Sequence, residues 1–182
     1  KKAEIYIYDE LAGGAGYSKE ISKNIDVIVL EALEILKGCD CPHSCHECLR
    51  NYANNFWHES LDRHIAYQYL KYLFEGTIPP IAEVQEQVKD LRALKRMLEM
   101  DGYKCSTAIH YEGKKIPLVV EDGNKKFAIG TFPGILDCHA VDFEHPLIDL
   151  EDSLYHPHFI NEYLLSRNLP EVYKSLKNFI ED

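Results

Sequence analysis

The chain has 182 residues, 46% of them hydrophobic, enough for one medium domain or two small ones with a genuine core. Thirty acidic residues against 20 Lys and Arg give a formal net charge of −10, which argues against a chain that clamps nucleic acid on its own, because that task needs a basic surface. No apolar run approaches the roughly 18 residues of a membrane span, so no membrane partner is expected.

The opening KKAEIYIYDE lacks Met and any secretory signal, so the sequence reads as a piece of a longer polypeptide. Six cysteines in that setting point to a reducing, cytoplasmic compartment. Residues 4–8 alternate as a short strand. The turn Gly13-Gly14-Ala15-Gly16-Tyr17 follows, where glycines allow a close strand-to-helix crossing and Asp9 is placed to cap it. Backbone N–H groups at such a turn can hold phosphate, but the Lys-Ser/Thr of a P-loop and the G-x-G-x-x-G spacing are both missing. A helix is expected over 18–37, with Ser18 as N-cap, Gly38 as stop, and Ile21, Ile25, Ile28, Val29, Ala32 and Leu36 inward.

Four cysteines then fall within ten residues, in the array GCDCPHSCHECLRNY. The C-x-C-x3-C-x2-C spacing lets Cys39, Cys41, Cys45 and Cys48 converge on one tetrahedral cation, and Zn2+ is the usual occupant of a four-thiolate site. The plain alternatives are four reduced surface thiols or two local disulfides. Four sulfurs fill the tetrahedron and leave no place for water or substrate, so the expected zinc is structural, with no catalytic residue around it. Pro42 and Ser44 suit the turns of the loop, while His43 and His46 read as solvent-facing. Trp57 either stacks a nucleic-acid base or packs on the zinc loop.

A second helix is expected over 61–75, with Ile65, Ala66, Tyr69, Leu70 and Leu73 inward; Gly76, Pro79 and Pro80 end it and mark a boundary. Beyond it, a helix over 82–100 carries the stripe Val84, Val88, Leu91, Leu94 and Leu98. Strand-like runs cover 104–111, 115–121 and 125–131, joined by the turns Glu112-Gly113 and Asp122-Gly123-Asn124. A short run over 139–143 and a last helix opened by Pro170 and reaching Ile180 complete the chain. The fold expected is α+β. An N-terminal helical zinc-binding module with a short strand spans 1–78, and a small helix-plus-antiparallel-sheet domain spans 82–182.

The order YDELAGGAGY, a helix of about 20 residues, the Cys quartet, LRNYANN and LDRHIAYQYL resembles the zinc-binding domain near the C-terminus of many superfamily 2 helicases. Those include the mitomycin-repair helicase family and proteins of DISARM-type anti-phage defence. The likeness covers about residues 3–75. It implies Cys39, Cys41, Cys45 and Cys48 as zinc ligands, with Asp9, Gly13, Gly14, Gly16, Leu61, Asp62 and Arg63 at signature positions, Asp62 and Arg63 in structural ion pairs. It also implies a helicase motor as partner, in cis or in trans, and DNA reached through the parent assembly. No G-x4-GK[ST] or DEAH-type box occurs in these residues, so the motor's machinery is not within them.

Residues 83–182 are similar in layout to the core of PD-(D/E)xK nuclease-like domains. There the Asp slot would be Pro117 and the Glu-x-Lys slot Gly130-Thr131-Phe132, so the metal-binding carboxylates are replaced. Glu121, Asp137 or Asp142 could stand in as substitutes. A second metal site among His139, His145, His156 and His158 is conceivable, but their spacing fits no familiar ligand pattern. The expected function is therefore a non-catalytic zinc-binding module of a DNA helicase or helicase complex in DNA repair or anti-phage defence. The alternatives are a divergent metal-dependent nuclease and a protein–protein adaptor in a defence complex.

Overall fold

A computed structural model describes residues 6–9, 13–139, 144–150 and 154–181. The chain divides into two units, Lys1–Ile78 and Pro79–Asp182.

In the first unit, Gly13, Gly14 and Gly16 all adopt positive φ, a region that favours glycine. A side chain at Gly14 would also press on Asp9, whose Oδ2 lies 3.2 Å from an ideal Cβ. Freed by this turn, the Asp9 carboxylate accepts from the Ser18 N–H at 3.3 Å and from its hydroxyl at 3.0 Å. Asp9, and not Ser18, therefore supplies the cap, and Ser18 lies inside helix α1 (Tyr17–Lys23). The expected single helix is split. Asn24 leaves helical geometry at φ −123°, ψ 25°, its side chain donating to the Glu20 carbonyl at 3.0 Å, and α2 (Ile25–Gly38) restarts beyond it. Val29, Leu33 and Leu36 are buried; Leu33 replaces Ile28, which faces outward. After the cysteine loop, a 3-10 segment (Tyr52–Ser60) leads to α3 (Arg63–Glu75), closed by Gly76 at φ 67°. Leu73, expected inward, is exposed. The anticipated strand lies partly outside the described residues, and its described part, residues 6–8, has no regular structure.

The second unit begins with α4 (Val84–Asp90) and α5 (Arg92–Met100), separated at Leu91. A meander follows: β1 (Lys104–Tyr111), β2 (Lys114–Asp122) and β3 (Lys125–Phe132). Glu112 and Gly113, both at positive φ, make the two-residue turn expected between the first pair. The sheet is not purely antiparallel. A fourth strand, β4 (Tyr155–Asn161), pairs with β3 in parallel, from Lys126 opposite Tyr155 to Phe132 opposite Asn161. The strand order is β1-β2-β3-β4. Helices α6 (Glu162–Arg167) and α7 (Leu169–Glu181) end the described chain. Of the short run expected over 139–143, only His139 is described, and it sits in a turn.

Side-chain alternation gives the sheet two apolar faces. Leu118, Val120, Phe127 and Ile129 meet Leu94 and Leu98 of α5 and Leu176 and Ile180 of α7 on one of them. Val119 and Ala128 meet Leu147, Leu150 and Tyr155 on the other. Each fully buried Leu here contributes about 1.5–3 kcal/mol of transfer free energy. The pattern slips at Pro117, which has no N–H to give the ladder and faces Ala108 at φ 54°. Beyond this point Ile116 joins the second face rather than the side of Leu118 and Val120.

Candidate metal centre

The cysteine loop is wound around one carbonyl. The Cys45 oxygen accepts from the N–H groups of Cys48, Leu49 and Arg50 at 3.2, 3.1 and 2.9 Å, a tight turn that brings Cys48 back beside Cys45. The backbone N–H of Cys45 in turn points at the Cys48 sulfur at 3.3 Å, as thiolates require when they must be kept from repelling one another.

All four sulfurs lie within 4.8 Å of one another. Cys39 and Cys45 are 3.4 Å apart, Cys41 and Cys48 3.7 Å, and Cys45 and Cys48 3.9 Å. A tetrahedral zinc with Zn–S bonds near 2.3 Å needs sulfurs about 3.8 Å apart, so the donor set fits the ion in number, chemistry and spacing. All six cysteines are free thiols. Without a cation the arrangement is unfavourable for charge: desolvation, then hydrogen bonds from the neighbouring thiols, push the Cys41 thiol up to about 12. A cation must therefore displace protons as it binds.

The loop is held from outside by the segment after it. Arg63 donates from Nε to the Cys41 carbonyl at 2.7 Å and from Nη1 to the Leu36 carbonyl at 2.9 Å. Its backbone N–H donates to the His43 carbonyl at 2.7 Å. Asp62, buried, caps α3 by accepting from the His64 and Ile65 N–H groups and lies 3.1 Å from His43 Nδ1. Ion pairs were expected of both residues; Asp62 serves as a helix cap beside His43, and Arg63 bonds carbonyls. His43 is half-buried against Asp62 instead of facing solvent; His46 is exposed, its ring edge-on to His58. Ser44, buried, links both sides: it accepts from Arg50 Nε at 2.9 Å and donates to the His58 carbonyl at 3.4 Å. Trp57 is 66% exposed.

Residues 1–49, which include all four cysteines, match the family model described as the MrfA Zn-binding domain. The N-terminal segment is an MrfA Zn-binding domain. It binds structural zinc, as both the family and the sulfur cluster require. Almost the whole chain, 97%, aligns at 33% identity with Druantia protein DruE of Escherichia coli, but spans only 9% of that protein's length. A 72-residue stretch, 40% of the chain, aligns at 33% identity with 64% of the uncharacterized protein MJ1572.1 of Methanocaldococcus jannaschii. No solved structure matches the chain.

In the second unit, the positions compared above with nuclease carboxylates are filled in a way composition alone does not disclose. Where β2 and β3 part, beyond the Leu118–Ile129 pair, Thr131 is fully buried and both its backbone groups are claimed by side chains. Gln87 Oε1 accepts its N–H at 2.8 Å, and His145 Nε2 donates to its carbonyl at 3.1 Å. The His145 ring also occupies the space beside Gly130: an ideal Cβ there would lie 2.6 Å from Cε1. Burial pulls His145 down to about 4, so it sits neutral, with Nδ1 accepting from the Leu147 N–H. Glu121 is held below the usual carboxylate range by its hydrogen bond with Lys104, Asp137 accepts from the His139 N–H, and Asp142 lies outside the described residues. His156 and His158 pack on Phe127 and Phe179. Among the described residues, the Cys quartet is the one group of three or more potential metal ligands. No described helix is long and apolar enough to cross a membrane.

Proposed function

We propose that Cys39, Cys41, Cys45 and Cys48 are the zinc ligands, and that the chain is a non-catalytic, cytoplasmic module of a superfamily 2 DNA helicase or helicase complex, in DNA repair or anti-phage defence. Bound zinc supplies fixation: four thiolates complete its tetrahedron, and the ion closes the loop that follows α2, against which Arg63 at the start of α3 is bonded. The observation that carries the reading is the sulfur cluster, which lies inside a segment matching a zinc-binding family. The alignment of nearly the full chain with part of Druantia protein DruE supports the defence setting. In the parent assembly the module stabilises the motor and helps engage DNA, and residues 82–182 serve as a nuclease-like fold without nuclease chemistry.

Metal analysis of purified protein tests the site. One zinc per chain is expected, lost in Cys41→Ser; a chain without zinc would overturn it. For the wider reading, DNA-stimulated ATP hydrolysis and unwinding by the parent assembly should fall when Cys41 and Cys48 are replaced. Unchanged unwinding would count against the module. Cleavage of plasmid or single-stranded DNA by the isolated chain in Mg2+ or Mn2+, abolished by Glu121→Ala, would instead favour the divergent nuclease.

A further inference from the structure

The two units differ sharply in how they treat apolar side chains. Among the described residues, the first unit fully buries three apolar side chains, Val29, Leu33 and Leu36, against 19 in the second. Yet 15 of the 20 large apolar side chains left exposed belong to the first unit. Seven of these 15 lie in two places, α2 and the 3-10 segment. On α2, Val29, Leu33 and Leu36 point inward while Val27, Leu30 and Ile35 point outward, so the helix is apolar on both sides. A helix of that kind is normally enclosed by protein on both. In the 3-10 segment, Tyr52 is 90% and Phe56 91% exposed, and Trp57 projects beside them. Aromatic side chains carry the largest apolar payload of any residues, and clusters of them left in water mark contact surfaces.

The charges nearby select the kind of partner. The outward side of α2 carries Asp26, Glu31 and Glu34 among its apolar residues, and Lys37 only in its last turn. An acidic rim repels a polyanion and suits a basic one on another protein. We propose that the outer side of α2 and the Tyr52–Trp57 turn are a protein-docking surface, and that its occupant is the helicase motor, presenting apolar hollows edged by Lys or Arg. The inference rests on the helicase-module reading above and adds the surface by which the module is held. In Druantia protein DruE the matching segment is 9% of one chain, which leaves a large protein body available in cis.

Photocrosslinking in the full natural polypeptide, with its complex intact, tests this. Benzoylphenylalanine replaces Leu30 or, separately, Phe56, both exposed and outside the zinc loop; zinc content equal to the parent's shows that each variant folds. Exposed Lys174 on α7 is the control position. Adducts at 30 and 56 should map to peptides of a motor bearing a Walker A sequence, at least tenfold above the yield at 174. Adducts to residues 79–182, to a second copy of this chain or to nucleic acid, or no adduct above control, would overturn the proposal. If a motor is present in the preparation but is not crosslinked, the surface is wrong and the module reading stands. If no motor is present in cis or in trans, the module reading itself fails.

Discussion

Arg63 directs its guanidinium at two carbonyls, Leu36 and Cys41, that lie on either side of Cys39, the first cysteine of the quartet. Charge-assisted bonds of this sort contribute about 1.5–3 kcal/mol each, and carbonyls next to a metal loop have few other donors. Arg63→Ala is therefore expected to weaken the loop by about 2–3 kcal/mol and to speed zinc transfer to a chromogenic chelator at least tenfold, followed by absorbance. Lys should rescue only part of this, because it lacks the fork that reaches both oxygens. Gly130 makes a second residue-scale case. An added methyl would meet the His145 ring at 2.6 Å, inside a closed core. Gly130→Ala should cost about 1–3 kcal/mol in thermal or denaturant unfolding, and His145→Ala in the same chain should return part of it. The sequence exposes Gly130 as a departure from a nuclease pattern, but not that an imidazole 15 positions later takes up its space. That relation depends on a chain reversal with no local signal.

Among the elements, those with a short-range cause were legible. The β1–β3 meander follows from alternating runs and Gly-containing turns, and α3 follows from its helical periodicity and the Gly76 stop, while its Asp62 cap emerged only in the structure. β4 was not. YHPHFIN alternates poorly, and its pairing with β3 is parallel and distant, so that tertiary contact decides it. The break at Asn24 likewise comes from one side chain bonding back to Glu20, a competition that helical periodicity does not register. The cysteine loop is the opposite extreme: its spacing alone foretold the convergence, while the roles of Arg63, Ser44 and His43 around it emerged only in three dimensions. Because a structural zinc contributes on the order of 10 kcal/mol, its removal should unravel the loop rather than loosen it. Hydrogen exchange after chelation is expected to show lost protection over residues 39–60 and unchanged protection in β2 and β3.

At the scale of the whole molecule, the two units should respond to different variables. Zinc controls the first and acid the second. His145 has its folded value pulled from 6.5 to about 4 by burial, so the unfolded chain takes up the proton first. Folding carries no penalty from this group above pH 6.5; stability is lost as pH falls toward 4, and the loss reaches roughly 3 kcal/mol at the acid end. Protection in β2 and β3 should drop across that window, and His145→Gln should remove about half of the decline, because burial pulls His158 down to about 4 as well. Zinc release, driven by protons competing for thiolates, also rises with acid but is reported by the first unit alone.

The junction of Ala108 and Pro117 leaves the border strand fastened at two separate stretches, Lys104–Thr107 and Ile109–Tyr111, with a gap where the imino ring sits. An alanine held at φ 54° is under about 1–2 kcal/mol of steric tension that glycine would not feel. Ala108→Gly should then strengthen the sheet, in spite of the looser unfolded chain it creates. Peeling of the outermost strand should proceed in two halves, each with its own opening rate.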